Sequence, residues 1–152
     1  MSATSIELKA PAKLNLFLHV VGRRTDGMHL LESVFALIDL CDDIVLELDP
    51  SGKISRTGDV IGDMDKDLCV RAARRLQQIS GTTIGCRIHV TKRIPAGAGM
   101  GGGSSDCAST LMGLNKLWGL NWPQEKLMSI GESLGADVPF FLFGQNAFAQ
   151  GT

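Results

Sequence analysis

The chain has 152 residues and a formal net charge of −1, with 15 Lys and Arg against 16 Asp and Glu. That length suits about one domain with a core of its own, and the balanced charge, with no basic run longer than a pair and no Tyr, argues against a nucleic-acid partner. No apolar run approaches the roughly 20 residues of a membrane span, residues 1–9 lack a signal-peptide apolar region, and Cys41, Cys69, Cys86 and Cys107 lack Cys-x-x-Cys spacing, so a reduced, soluble, cytoplasmic protein is expected.

From Ile6 to Val20 the apolar residues fall on even positions: Ile6, Leu8, Ala10, Leu14, Leu16, Leu18 and Val20. That period predicts a strand, interrupted at Pro11, with Glu7, Lys9, Lys13, Asn15 and His19 on the opposite face. Gly22 to Gly27 reads as a basic, polar turn. Val34, Ala36 and Ile38 predict a second strand, and Ile44, Leu46 and Leu48 a third, closed by the turn signal Asp49-Pro50-Ser51-Gly52. The polar stretch to Asp65 reads as loop with room for a short strand. Asp67 to Ser80 predicts a helix, with Leu68, Ala72, Leu76 and Ile79 on one face and Gly81 as its stop. Ile84, Cys86, Ile88 and Val90 alternate as a strand that runs into a glycine-rich loop. Ser104-Ser105-Asp106 supplies candidate N-caps for a helix carrying Cys107, Leu111, Leu114 and Trp118. A further helix is expected from near Pro123 through Leu127, Ile130 and Leu134 to Gly135. Asp137-Val138-Pro139 and the apolar run Phe140 to Phe143 follow, and Gln145 to Gln150 alternates weakly, as an edge strand does. Strands and helices mix without strict alternation, so the class expected is α+β.

The loop reads Pro95-Ala96-Gly97-Ala98-Gly99-Met100-Gly101-Gly102-Gly103-Ser104-Ser105, with five glycines in seven positions. A backbone so stripped of side chains, ahead of a helix N-terminus, can wrap an anion, and a nucleotide phosphate is the leading candidate. The Walker A pattern nearly fits from Gly97, but Gly103 stands where its lysine belongs. The dinucleotide fingerprint fits at Gly97, Gly99 and Gly102, yet the segment about 20 residues on is a turn entering a helix rather than a strand ending in an acid. The protein-kinase loop requires Val where Ser104 stands.

The loop resembles the signature of the GHMP kinases, Pro-x-x-x-Gly-Leu-Gly-Gly-Gly-Ser-Ser, with Met100 in place of Leu. Two further segments, Pro11-Ala12-Lys13-Leu14-Asn15-Leu16-Phe17-Leu18 with Gly22-Arg23-Arg24-Thr25-Asp26-Gly27-Met28-His29, and Leu134-Gly135-Ala136-Asp137-Val138-Pro139-Phe140-Phe141, resemble the branch acting on a cytidine diphosphate-linked methylerythritol in non-mevalonate isoprenoid synthesis. The resemblance implies a GHMP N-terminal, ATP-binding domain over residues 1–152, a mixed sheet packed on helices with a left-handed β-α-β unit. It implies ATP and Mg2+ as cofactors, with no metal ligand assigned, and a small-molecule substrate rather than nucleic acid or membrane. Members also carry a C-terminal domain with another glycine-rich motif. This chain stops before it, so it is expected to be a fragment or shortened product that self-associates through the surface left uncovered.

The resemblance also implies roles. The loop from Pro95 to Ser105 binds the nucleotide, with Ser104 and Ser105 either touching phosphate or capping the helix. Lys92 lies at the strand end within reach of it, and Asp67 stands where the family has Asn near the adenine. Lys13 becomes the cation that a Walker lysine would have supplied, and Asp137 the general base for the substrate hydroxyl. Asn15, Met28 and His29 fall on the cytosine-binding segment, with Met28 where the family stacks a Tyr. Another GHMP alcohol kinase, or a nucleotide-binding module without catalysis, are the competing readings.

Overall fold

A computed structural model describes residues 4–23, 29–59, 63–95 and 100–150. Its elements in chain order are β1 (Ser5–Arg23), β2 (His29–Asp49), β3 (Ile54–Gly58), a 3-10 turn (Met64–Lys66), α1 (Leu68–Ser80), β4 (Gly85–Thr91), α2 (Gly102–Leu117), α3 (Gln124–Leu134) and α4 (Val138–Gln150). The strands form one mixed sheet in the order β1-β2-β4-β3. β1 pairs antiparallel with β2, and β2 with β4, while β3 runs parallel to β4 and reaches it through α1, giving the β-α-β unit.

The period-2 pattern decides which face of the sheet is dry. Ala10, Ile44, Leu46, Cys86, Ile88 and Val90 point to the helices and are fully buried. The other face is wet and carries cross-strand pairs such as Lys9 with Asp43, 2.8 Å, and Arg87 with Glu47, 2.7 Å. α2 lies over β1 and β2, flanked by α1 and α4, and α3 packs against α4. Gly113 lets α2 lie close on the sheet: a Cβ there would stand 2.5 Å from Cδ1 of Leu46 and 2.6 Å from Cδ1 of Leu8.

Two sequence expectations are corrected. The expected second and third strands are one strand, β2, which runs unbroken for 21 residues. The break expected in the first strand at Pro11 is present as a shift of register, from Pro11 opposite Cys41 to Lys13 opposite Leu37, with the extra residues on β2 beside a residue that has no N–H to donate. Gln145 to Gln150, expected as a strand, belongs to α4. Val138, Phe141 and Leu142 recur at helical spacing and are buried against the neighbouring helices, and that packing outweighs a weak alternation.

α1 matches its sequence limits. Asp67 is its N-cap, accepting from the Cys69 and Val70 amides at 2.9 and 3.2 Å, and Gly81 closes it in the left-handed region.

Candidate active site

Parts of the chain far apart in sequence meet at Gly101. Its φ is 71°, in the region that favours glycine, and it is the N-cap of α2. A Cβ there would lie 2.8 Å from the Phe141 ring and 3.2 Å from Cε of Lys13. β1 therefore brings Lys13, and α4 brings Phe141, to the exit of the glycine loop. The backbone holds the same junction, because the Lys13 N–H donates to the Met100 carbonyl at 2.9 Å. Lys13 is only 8% exposed.

The start of α2 is the part of this junction suited to an anion. Among the described residues no side chain caps it, and its first two residues, Gly102 and Gly103, carry none. First-turn N–H groups have no partner within their own helix, and the helix dipole adds positive potential there. The expected caps are placed otherwise. Ser105 is buried inside the helix, its hydroxyl donating to the Pro11 carbonyl at 2.5 Å and accepting from Nε2 of Gln145 at 3.4 Å. Asp106 is buried one residue further on. Ser104 is half-buried, and its Oγ lies 4.0 Å from where a Cβ on Gly135 would stand. The α3–α4 junction, Gly135-Ala136-Asp137, thus sits against the same end of α2. Asp137 is exposed, and its carbonyl accepts the Phe141 N–H at 3.4 Å at the start of α4.

The remaining sequence-predicted residues divide by place. Asn15 lies opposite Phe35, and His29 opposite Arg23, so both belong to the β1–β2 hairpin that also carries Lys13. Pro95 is exposed at the loop entrance. Met28, Ala96, Gly97, Ala98 and Gly99 lie outside the described residues. Asp67, besides capping α1, pairs with Nε of Arg56 at 2.9 Å, and Arg56 in turn donates to the carbonyls of Thr57 and Asp59. Lys92 has its N–H on Oδ2 of Asp59 at 2.9 Å, and its Nζ bridges Asp42 at 2.6 Å and Asp106 at 2.9 Å.

Asp42 is the residue that reading the sequence missed. Its side chain is fully buried. Oδ2 accepts Lys92, and Oδ1 accepts the backbone N–H groups of Arg93, 2.7 Å, and Ile94, 2.9 Å. The signal was present: counting by twos from Val34 through Ile44 to Leu48, Asp42 is the one polar residue in an otherwise apolar row. Burial alone would raise the Asp42 carboxyl. The hydrogen bonds from Asp106, the Ile94 amide, Lys92 and the Arg93 amide outweigh it and hold Asp42 below the usual carboxylate range. For Asp106, burial and the hydrogen bond to Asp42 prevail over the Lys92 charge and push the carboxyl up to about 8. Burial opposes the charge of Lys92, but the two carboxylates more than offset it and raise the ammonium.

A family model, the GHMP kinases N terminal domain, matches residues 67–145. The chain is 57% identical to a 4-diphosphocytidyl-2-C-methyl-D-erythritol kinase of Ralstonia pickettii, covering 99% of this chain and 54% of that protein. It is 60% identical to the protein of the same name from Ralstonia nicotianae, covering 93% and 50%. Among solved structures, a 4-(cytidine 5'-diphospho)-2C-methyl-D-erythritol kinase superposes with a TM-score of 0.77 at 42% identity, over 91% of this chain and 49% of that one. A homoserine kinase from Cytophaga hutchinsonii, 20% identical with a TM-score of 0.65, shares the fold over 87% of this chain and 41% of its own. The chain spans about half the length of the curated relatives it matches.

Proposed function

This chain belongs to the GHMP kinases, and on that footing we propose that it serves the ATP-dependent phosphorylation of the 2-hydroxyl of 4-diphosphocytidyl-2-C-methyl-D-erythritol, a step in non-mevalonate isoprenoid precursor synthesis. The observation that carries the reading is the 57% identity, over 99% of the chain, to a kinase of that name. The geometry around Gly101 supports the chemistry.

Phosphoryl transfer asks a protein mainly to position its reactants and to stabilise charge. The backbone N–H groups from Ala96 to Ser104 and the open N-terminus of α2 receive the triphosphate, which enters as its Mg2+ complex. Among the described residues no group of three or more His, Cys, Asp or Glu is placed to hold a metal ion. Lys13, at the loop exit, stabilises the charge on the transferring phosphoryl group. Asp137 accepts the proton of the substrate 2-hydroxyl. That oxygen bonds to the γ-phosphorus as the bond to the β,γ-bridging oxygen breaks, and ADP leaves. The β1–β2 hairpin, with Asn15, Met28 and His29, holds the cytosine end. Asp67, at the start of α1, and Lys92, at the loop entrance, complete the nucleotide side of the site.

A coupled assay of ADP release, with the cytidylyl substrate against homoserine, mevalonate and galactose, tests the reading. Turnover is expected with the cytidylyl compound alone. Asp137→Asn should lower kcat by at least about 100-fold, the scale of a lost general base, with little change in nucleotide affinity. Faster turnover of another alcohol overturns the substrate assignment. A variant with unchanged kcat removes Asp137 from the chemistry.

A further inference from the structure

We propose that Asp42, Lys92 and Asp106 form a brace that sets the span of the glycine-rich loop, making Asp42 and Asp106 positioning residues for the nucleotide site. The inference rests on the reading of that loop as the nucleotide site, but its structural part can be tested without any nucleotide.

Lys92 follows the last residue of β4 and opens the segment that leads into the loop. Asp106 lies in the first turns of α2, where the loop ends. The Lys92 Nζ joins these two ends to Asp42 of the central strand β2, with contacts of 2.6 and 2.9 Å. Asp42 also takes the Arg93 and Ile94 amides, so three consecutive residues at the loop entrance hang on one carboxylate. Gly102 closes over the same point: a Cβ there would meet Nζ of Lys92 at 3.2 Å and Cγ2 of Ile94 at 3.1 Å. The loop entrance and the helix start are thus held against each other through these three side chains.

The brace contains two acids and one cation, all within a dry space. Oδ1 of Asp106 is buried with no hydrogen-bond partner among the described residues, an unfavourable place for an ionised carboxylate. The groups facing Asp106 are Asp42 from β2, Lys92 from the end of β4 and Cys69 from α1, whose thiol is raised mainly by burial and then by the Asp106 charge. A neutral Asp106 gives the cluster a net charge of zero. Loss of its proton leaves one negative charge under the first turns of α2, beside the site of a polyanion. As pH rises through about 8 the hydrogen bond between the Asp42 and Asp106 carboxyls is lost and the two repel each other, so the brace loosens and the loop repels phosphate.

Amide hydrogen exchange of the apo protein tests the brace itself. In wild type, protection of peptides covering residues 92–106 should fall at least tenfold between pH 7 and pH 9 beyond the change in chemical exchange rate, while peptides of α3 stay level. Asp106→Asn, which keeps the shape and removes the titration, should abolish that fall. Asp42→Asn should lower protection of the same peptides at pH 7 at least tenfold. If Asp42→Asn does not fold, Asp106→Asn carries the test alone. Equal pH responses in wild type and Asp106→Asn overturn the proposal. Calorimetry with MgATP then reads the consequence: weakening above pH 8 in wild type and none in Asp106→Asn. A wild type that binds no nucleotide at any pH but shows the exchange pattern refutes the nucleotide reading and leaves the brace standing.

Discussion

Gly101 shows how one residue type serves two demands. Its backbone lies in the left-handed region, and its missing side chain makes room for both Lys13 and Phe141. Neither demand was readable from the glycine run, since all five glycines there look alike until the neighbours are known. Gly101→Ala meets a left-handed penalty of about 1–2 kcal/mol and an overpacking cost of about 1–3 kcal/mol against the Phe141 ring. Urea denaturation should show a loss of about 2–5 kcal/mol. A loss under half that would mean that Phe141 and Lys13 move aside freely. Lys13 and Asp137 were legible only through resemblance to a family. A lysine on a polar strand face and an aspartate ahead of Val-Pro have no chemistry in their spacing, and only the fold brings their elements to one end of α2. Asp42 is legible from the row itself, as its one polar residue.

At the scale of elements, the sequence was most informative where both a period and an end signal were present. α1 has a repeating apolar face, an Asp cap and a Gly stop, and it lies where expected, from Leu68 to Ser80. α3 likewise begins beside Pro123 and ends at Gly135. α4 has neither signal in clear form. Phe140 to Phe143 is a continuous apolar run, and a run without period can be a strand or a buried helix. Its helical face became definite only once α2 and α3 had supplied a surface to pack on. Phe141→Ala, which empties a fully buried site, should destabilise by about 3–5 kcal/mol. It should also lower nucleotide affinity at a temperature where the variant is still folded, because the ring supports Gly101. Leu142→Ala is the control: a comparable loss of stability by thermal or urea unfolding, with affinity unchanged. Equal effects of the two variants on affinity would show that α4 acts only through global stability.

For the whole molecule, the buried acids shape how stability depends on pH. The Asp106 carboxyl stands at about 8 in the folded protein against a usual 3.8. Between those values the unfolded chain is ionised at Asp106 and the folded protein is not. Folding therefore takes up a proton, and the stability that this adds below about pH 4 is lost as pH rises to about 8. Asp42 acts in the opposite sense: its lowered carboxyl contributes stability above the usual carboxylate range and loses it in acid. Lys92, raised, contributes until strongly alkaline pH. Over neutral pH only Asp106 is changing among the three. The melting temperature should fall steadily from pH 5.5 to pH 8 in wild type and stay flatter in Asp106→Asn by scanning calorimetry. Parallel curves would assign the slope to other groups.

The junction at Gly101 draws on the first strand, the middle of the chain and the last described helix. No contiguous half of these 152 residues holds all three. A partly folded chain therefore lacks the place where phosphate would rest, and by mass action a bound nucleotide favours only the fully assembled state. At 100 times its dissociation constant a ligand with no affinity for the unfolded chain adds about 2.7 kcal/mol to stability. Nucleotide would then protect these residues from proteolysis only after α4 had docked, so the substrate itself would act as a check that the three parts had come together.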